Sequence, residues 1–249
     1  MKLVDGRWIA EGGDFQFQGL WYPDGEIITK SLAHQLRHEP FYNCDRFHDA
    51  MRLLRRFRGA VECGAHVGPW SRELAKRFER VVAIELNPAT ARCLRANLAP
   101  FPNATVVNCA LGDRSGEVRV AAAKGSLDSE VRPGAADPPT TPPAAQAPLL
   151  GQEGSEWEVV PMRALDEVLD GAAIGSIDYL KVHVNGYEVP VLRGARETIA
   201  RHKPLMTVVI KKALANYGAR PEDVFNLMGE MGYRVVSRLK PYWVFSPPA

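Results

Sequence analysis

The sequence has no apolar run near the roughly 20 residues that cross a bilayer. Its start, MKLVDGRWIAEGGD, also lacks the apolar core of a secretory signal. A cytoplasmic protein with no membrane partner is therefore expected. Cysteine is scarce: Cys44, Cys63, Cys93 and Cys109 show no Cys-x-x-Cys spacing, so neither a zinc knuckle nor a disulfide framework is suggested. An excess of one charge is missing too. With 31 basic against 29 acidic residues the net charge is +2, which provides no large cationic field for a nucleic-acid backbone. Gly-Lys-Ser/Thr is absent, which excludes a P-loop, and His66 stands where a dinucleotide-type G-x-G-x-x-G would need glycine.

What is present is an ordinary globular composition, 46% apolar and 24% charged over 249 residues, enough for one large α/β core. From Ala60 onward short β-rich runs alternate with helical ones, the pattern of a parallel sheet with crossover helices. AVEC, VVAIE, ATVVNCAL, EVVPM, IDYLKVHV and LMTVVI read as strands, with GEVRVAAA as a more exposed one. SRELAKRF, ATARCLRANL, RALDEVLD, YEVPVLRGARETIARH and PEDVFNLMGEMG read as helices, the second opened by Asn87 and Pro88. YRVVSRL and YWVFS read as a closing antiparallel hairpin around Lys240 and Pro241. The expectation is a doubly wound sheet of about seven strands over residues 46–249, with residues 1–45 as a loosely structured arm packed on it. Residues 124–156, rich in proline and alanine without periodicity, read as a mobile loop and a lid over bound substrate.

The stretch AVECGAHVGPW carries the chemistry. A strand that runs through a glycine turn into a helix presents backbone N–H groups and small residues to a nucleotide-like ligand, and Gly64 and Gly68 provide the room. A carboxylate at Glu62 would repel a pyrophosphate but suits an ammonium or a sulfonium. S-adenosylmethionine carries both. The next strand ends in Glu85, the place from which an acid takes the two hydroxyls of a ribose.

VECGAHVGPWSRELAKRFERVVAIELNPATARCLRANL, NATVVNCALGDRSGEV, RALDEVL and IDYLKVHVNGYEVPVLRGA, in that order, resemble the FkbM family of S-adenosylmethionine-dependent methyltransferases over residues 60–212, leaving out the loop. The resemblance implies a class I methyltransferase (Rossmann-like) fold. It implies that the turn with Glu62, Gly64, Ala65, His66 and Gly68 binds the methionine part of the cofactor, that Glu85 with Leu86 holds the ribose, and that Asn108 and Ala110 lie near the adenine. It also implies O-methylation of a small molecule or sugar as the commonest activity.

The family usually writes the strand after the loop as Lys-Ile-Asp-Val-Glu-Gly-x-Glu, with another Glu at the end of the next strand. Here stand Lys181, His183, Asn185, Gly186 and Glu188, with Ile210 in the last acid's place. Three carboxylates are thus missing from one cleft. Two-residue periodicity puts Lys181, His183 and Asn185 on one side of the strand, beside the cofactor turn, where catalytic groups belong. A histidine titrating near 6.5 can take the acceptor's proton at neutral pH. The alternatives are a cofactor-binding scaffold without catalysis and a nucleic-acid base as acceptor. Arg52, Arg55 and Arg56, opposite an apolar stripe of Phe47, Ala50, Met51, Leu54 and Phe57, would serve the second and are expected simply to face solvent. His34 and His38 have the spacing of a metal pair, but without a third ligand no metal is assigned.

Overall fold

The computed structural model describes residues 2–4, 7–9, 13–24, 26–28, 34–35, 37–121, 131–133, 157–172 and 174–248. Its centre is a seven-stranded sheet made of β1 (Gly59–Cys63), β2 (Arg80–Glu85), β3 (Ala104–Asn108), β8 (Tyr179–Val182), β9 (Leu205–Val209), β10 (Arg234–Leu239) and β11 (Tyr242–Ser246). The strand order is β10-β11-β9-β8-β1-β2-β3. β3, β2, β1, β8 and β9 run parallel, while the hairpin β10–β11 closes the β9 side in antiparallel pairing. The chain winds outward from β1 in one direction and from β8 in the other, so the switch in winding lies between β1 and β8. In such sheets the crevice at the carboxyl ends of these two strands is the ligand site.

Helices cover both faces, as the two-residue alternation of strand side chains requires. Val61, Cys63, Val82, Ile84, Leu180 and Val182 meet the helices α4 (Leu165–Asp170), α5 (Glu188–Arg193), α6 (Arg196–His202) and α7 (Pro221–Glu230) in one core. Ala60, Val81, Tyr179 and Leu205 face the other way, against α1 (Cys44–Met51) and α2 (Pro69–Ala75). α3 (Pro88–Leu98), capped by the Asn87 side chain, packs Leu94 and Leu98 on Ala83 of that same face.

Several sequence readings are corrected. ATVVNCAL is two strands, β3 and β4 (Ala110–Gly112). Buried Cys109 separates them, and β4 leaves the main sheet. With β5 (Gly116–Ala121), β6 (Val131–Pro133) and β7 (Trp157–Ala164), β4 builds a second sheet in the order β6-β5-β7-β4. EVVPM therefore lies in β7, outside the central sheet. The lid reading of 124–156 falls outside the described residues apart from β6, which pairs with β5 as a strand rather than a loop. The long helix YEVPVLRGARETIARH breaks at Gly194. A Cβ there would meet the Gly112 carbonyl oxygen at 2.0 Å, and the Gly194 carbonyl accepts from Asp166 N–H at 2.9 Å. α1 stops at Met51, short of Leu54 and Phe57, because the chain must reach the sheet at Gly59. Arg52, Arg55 and Arg56 are exposed, and Arg52 is paired with Asp49.

Within 1–45 the described strands Phe15–Phe17 and Leu20–Tyr22 form a hairpin. Asn97 of α3 anchors it: its Oδ1 accepts from Trp21 N–H at 2.7 Å, and its Nδ2 donates to Trp21 O and Val67 O. Among the described residues no helix is long and apolar enough to cross a membrane.

The break at Gly194 can be tested against an open glycine. Gly194→Ala should lose about 1–3 kcal/mol in urea denaturation, because the added methyl forces backbone apart. Gly229→Ala, inside α7 with nothing within 4 Å, should gain about 0.5–1 kcal/mol from helix propensity alone.

Candidate active site

β1 ends at Cys63, and the chain turns through Gly64 (φ +79°), His66 (φ +53°) and Gly68 (φ +88°) before α2 begins at Pro69. The turn is pressed against the end of β8. A Cβ on Gly64 would lie 1.9 Å from His183 O, which is why glycine stands there. Gly64 N–H and Ala65 N–H both donate to Ile84 O, and His66 N–H donates to Glu85 Oε2 at 2.9 Å. Glu85, at the tip of β2, also accepts from Asn87 N–H at Oε1. Its carboxylate thus braces the turn and keeps spare lone pairs on both oxygens. Burial raises the Glu85 pKa, opposed by these hydrogen bonds.

Lys181 and Glu62 are register partners on β8 and β1. Lys181 Nζ lies 2.5 Å from Glu62 Oε1, with the two side chains 6% and 1% exposed. Ser71 Oγ donates to Glu62 Oε2 at 2.5 Å, and the ammonium also sits 4.7 Å from the Trp70 ring centre. Glu62 lines the cleft, but its charge is balanced by Lys181 before any ligand enters. The acid expected to meet a cationic ligand is committed to its own neighbour.

At the far side, Lys211 Nζ lies 2.9 Å from His183 Nε2. An ammonium only donates, so Nε2 accepts and the ring proton sits on Nδ1. Burial, reinforced by the positive charges of Lys181, Lys211 and His66, holds the His183 pKa well below 6.5. The expectation of a histidine titrating near 6.5 is corrected: the imidazole stays neutral to lower pH and is a weaker base. His66 behaves oppositely. Burial works against its charge, but the carboxylates of Glu26 and Glu85 outweigh it and raise the pKa.

These groups surround a cleft of about 250 Å³. Glu62, Gly64, Ala65, His66, Glu85 and Leu86 line one side; Lys181, His183 and Asn185 line the other. Gly68, Asn108 and Ala110 support the cleft from behind. Gly68 is packed on Leu94, Asn108 Nδ2 donates to Glu85 O and Leu86 O, and Ala110 is buried with Val118 and Met162. Sequence reasoning missed the aromatic wall of Tyr22, Tyr42, Trp70 and Tyr242, as well as Lys211. Trp70 stacks on Tyr242 and donates from Nε1 to Tyr42 O. A signal existed only for Trp70, next to the turn, and for Lys211, next to the substituted Ile210. The rings of His34 and His38 lie 4.3 Å apart, and among the described residues no group of three metal-ligating side chains occurs.

Residues 62–235, well over half of the chain, match the Methyltransferase FkbM domain. The chain belongs to the FkbM methyltransferase family. Among solved structures it is similar in fold to methyltransferase FkbM from Methylobacillus flagellatus KT, with a TM-score of 0.51 and 18% identity over 78% of this chain and 45% of that one. N-methyltransferase NodS from Bradyrhizobium japonicum WM9, in complex with S-adenosyl-L-homocysteine, gives a TM-score of 0.47 and 12% identity over 86% and 91% of the two chains. In sequence, 50 residues are 42% identical to ribosomal RNA small subunit methyltransferase A of Bacillus mycoides (strain KBAB4), covering 20% of this chain and 17% of that protein. This chain thus spans less than a fifth of that relative's length. As a member of that family it has the class I, Rossmann-like methyltransferase fold.

The cleft fits the family's cofactor. Gly64 and Ala65 keep the turn open, Glu85 has lone pairs to offer two hydroxyls, and the aromatic wall provides flat apolar surface. Beside the turn, His66 Nε2 and both carboxylate oxygens of Glu26 are buried without hydrogen bonds, as atoms whose partner is a ligand would be.

Two outcomes test this electrostatic arrangement. Lys181→Met should lose about 3–5 kcal/mol in urea denaturation by stranding Glu62, and adding Glu62→Gln should recover most of it; additive losses would contradict the pair. For His183, the unfolded chain binds a proton below pH 6.5 that the folded chain refuses. Stability therefore rises with pH between the lowered pKa and 6.5, by up to about 1.4 kcal/mol per unit. His183→Asn should reduce that slope between pH 5 and 6.5, whereas an unchanged slope would mean the imidazole is charged in the fold.

Proposed function

We propose that the chain transfers a methyl group to a hydroxyl of a small molecule or sugar, with Glu62, Gly64, Ala65, His66, Glu85 and Leu86 on the cofactor side and His183, Lys181 and Asn185 on the acceptor side. Gly68, Asn108 and Ala110 hold the cofactor side in shape. The observation that carries this reading is the His183 imidazole at the cleft wall, its Nε2 2.9 Å from Lys211 Nζ. When bound, S-adenosylmethionine supplies the electrophilic methyl group. The chain's own task is to align a nucleophile with it and receive a proton. His183 Nε2 receives that proton once Lys211 yields the lone pair. A hydroxyl loses its proton late in such a transfer, when it is already strongly acidic, so a base weakened by burial suffices. Lys181, tied to Glu62, keeps the floor rigid, and Asn185 offers an uncharged polar group to the acceptor.

A small acceptor is supported by the narrow aromatic cleft, and by Arg52 and Arg58 being paired with Asp49 and Asp178 rather than free for phosphates. We further infer a cytoplasmic setting, which the four free thiols support. In this scheme 1–45 is an arm on a methyltransferase domain of 46–249.

The test is a screen with radiolabelled S-adenosylmethionine against fractionated small molecules and nucleic acids. Label should enter small hydroxylated compounds, and His183→Ala should lower kcat by about 10²–10⁴ without weakening cofactor binding. Glu85→Ala should weaken cofactor binding by about 1–3 kcal/mol. Label entering DNA or RNA, with steeply salt-dependent binding, would favour the nucleic-acid reading. Binding without turnover on any fraction would favour the scaffold.

A further inference from the structure

Glu26 belongs to none of the motifs above, yet it is 0% exposed. Among the described residues it is the one side chain whose two polar atoms are both buried and both without a hydrogen bond. A turn closed by Glu26 N–H to Pro23 O delivers it from the arm, whose hairpin is bolted to α3 through Asn97 and through Arg92, paired with Asp14. The carboxylate ends 3.6 Å from His66 Nε2, the other orphan atom in this neighbourhood, and His66 lines the cleft. At 3.6 Å the two attract as charges but share no hydrogen bond.

A buried carboxylate without donors is costly, several times more so than a buried amide. It is retained where a donor arrives later. The cofactor has one cationic donor group, the α-ammonium of its methionine part, and that part belongs at the turn carrying His66. The other acids beside the turn have other tasks: Glu62 holds Lys181 and Ser71, and Glu85 holds the N–H groups of His66 and Asn87, its remaining lone pairs being those offered to the ribose hydroxyls. Tyr22, directly before Pro23, closes the same side of the cleft with its ring 6.3 Å from that of His66.

We propose that Glu26 is a cofactor-binding residue, its carboxylate accepting hydrogen bonds from the α-ammonium of S-adenosylmethionine, so that the arm completes the site. The proposal rests on the reading that the cofactor's methionine part lies at the turn containing Gly64 and His66. It makes the arm part of the binding machinery and assigns Glu62 the different task of holding Lys181.

The experiment is calorimetry on the full chain with three probes: S-adenosylhomocysteine, its deaminated analogue, and 5′-methylthioadenosine, which lacks the whole amino-acid part. Glu26→Gln removes the charge at constant shape. It should raise the Kd for S-adenosylhomocysteine about 10–100-fold, the effect of losing a hydrogen bond to a charged group. The Kd values for the deaminated analogue and methylthioadenosine should stay within about 3-fold. Should the Gln variant fail to fold, wild type must still bind the deaminated analogue at least 10-fold more weakly than S-adenosylhomocysteine, and Glu26→Asp, which keeps the charge on a shorter stem, must narrow that gap. Equal weakening of all three probes, or no change in any, overturns the proposal. Wild type that binds S-adenosylhomocysteine and its deaminated analogue equally also overturns it. If wild type binds none of the three, the placement of the cofactor itself fails, and the proposal with it.

Discussion

Glu62 and Lys181 face each other across the boundary between β1 and β8, and the mouth of the sheet is arranged around the charge pair they make. Both side chains project to the face covered by α1 and α2 and are almost wholly buried at the wall of the cleft. Neighbouring groups support the pair: Ser71 donates to the second carboxylate oxygen, and the Trp70 ring lies beside the ammonium. Ser71 and Trp70 are in turn placed by the glycine turn that opens α2. A single ion pair therefore ties together the two central strands, the glycine turn and the first part of the aromatic wall.

From that pair outward the cleft has two electrostatic ends. Toward β2 lie Glu85 and Glu26, with His66 between them, held toward its charged form by the two acids. Toward β9 lie His183 and Lys211, where burial and neighbouring cations keep the imidazole neutral. A ligand with positive charge at one end and a neutral reacting group at the other suits this gradient.

The small sheet β6-β5-β7-β4 and the hairpin of the arm shape the rim of the cleft. Ala110, Val118, Val160 and Met162 form a separate apolar cluster on which Leu86 and Tyr187 rest, fixing the β2 side of the rim. The arm contributes Tyr22 through a hairpin held by Asn97, a side chain that hydrogen-bonds two segments at once.

Much of this was legible in the chain itself. Alternating strand and helix patterns, the glycine turn after Glu62, the acid at Glu85 and the proline-started helices each follow from local geometry, which a single segment's residues determine. The same periodicity put Lys181 and His183 on one side of their strand, and both do line the cleft. Splitting at Cys109 and breaking at Gly194 were not legible, because each answers to a contact with a distant segment. Pairing was hidden for the same reason. That Glu62 is neutralised by a lysine 119 residues away, that His183 loses basicity to burial beside Lys181 and Lys211, and that Glu26 from the arm is buried beside His66 depend on distances no local pattern encodes. The sequence by itself determined which residue types stand at the ends of which strands; tertiary structure alone decided which charges meet, because electrostatic energy depends on separation and burial rather than on order along the chain.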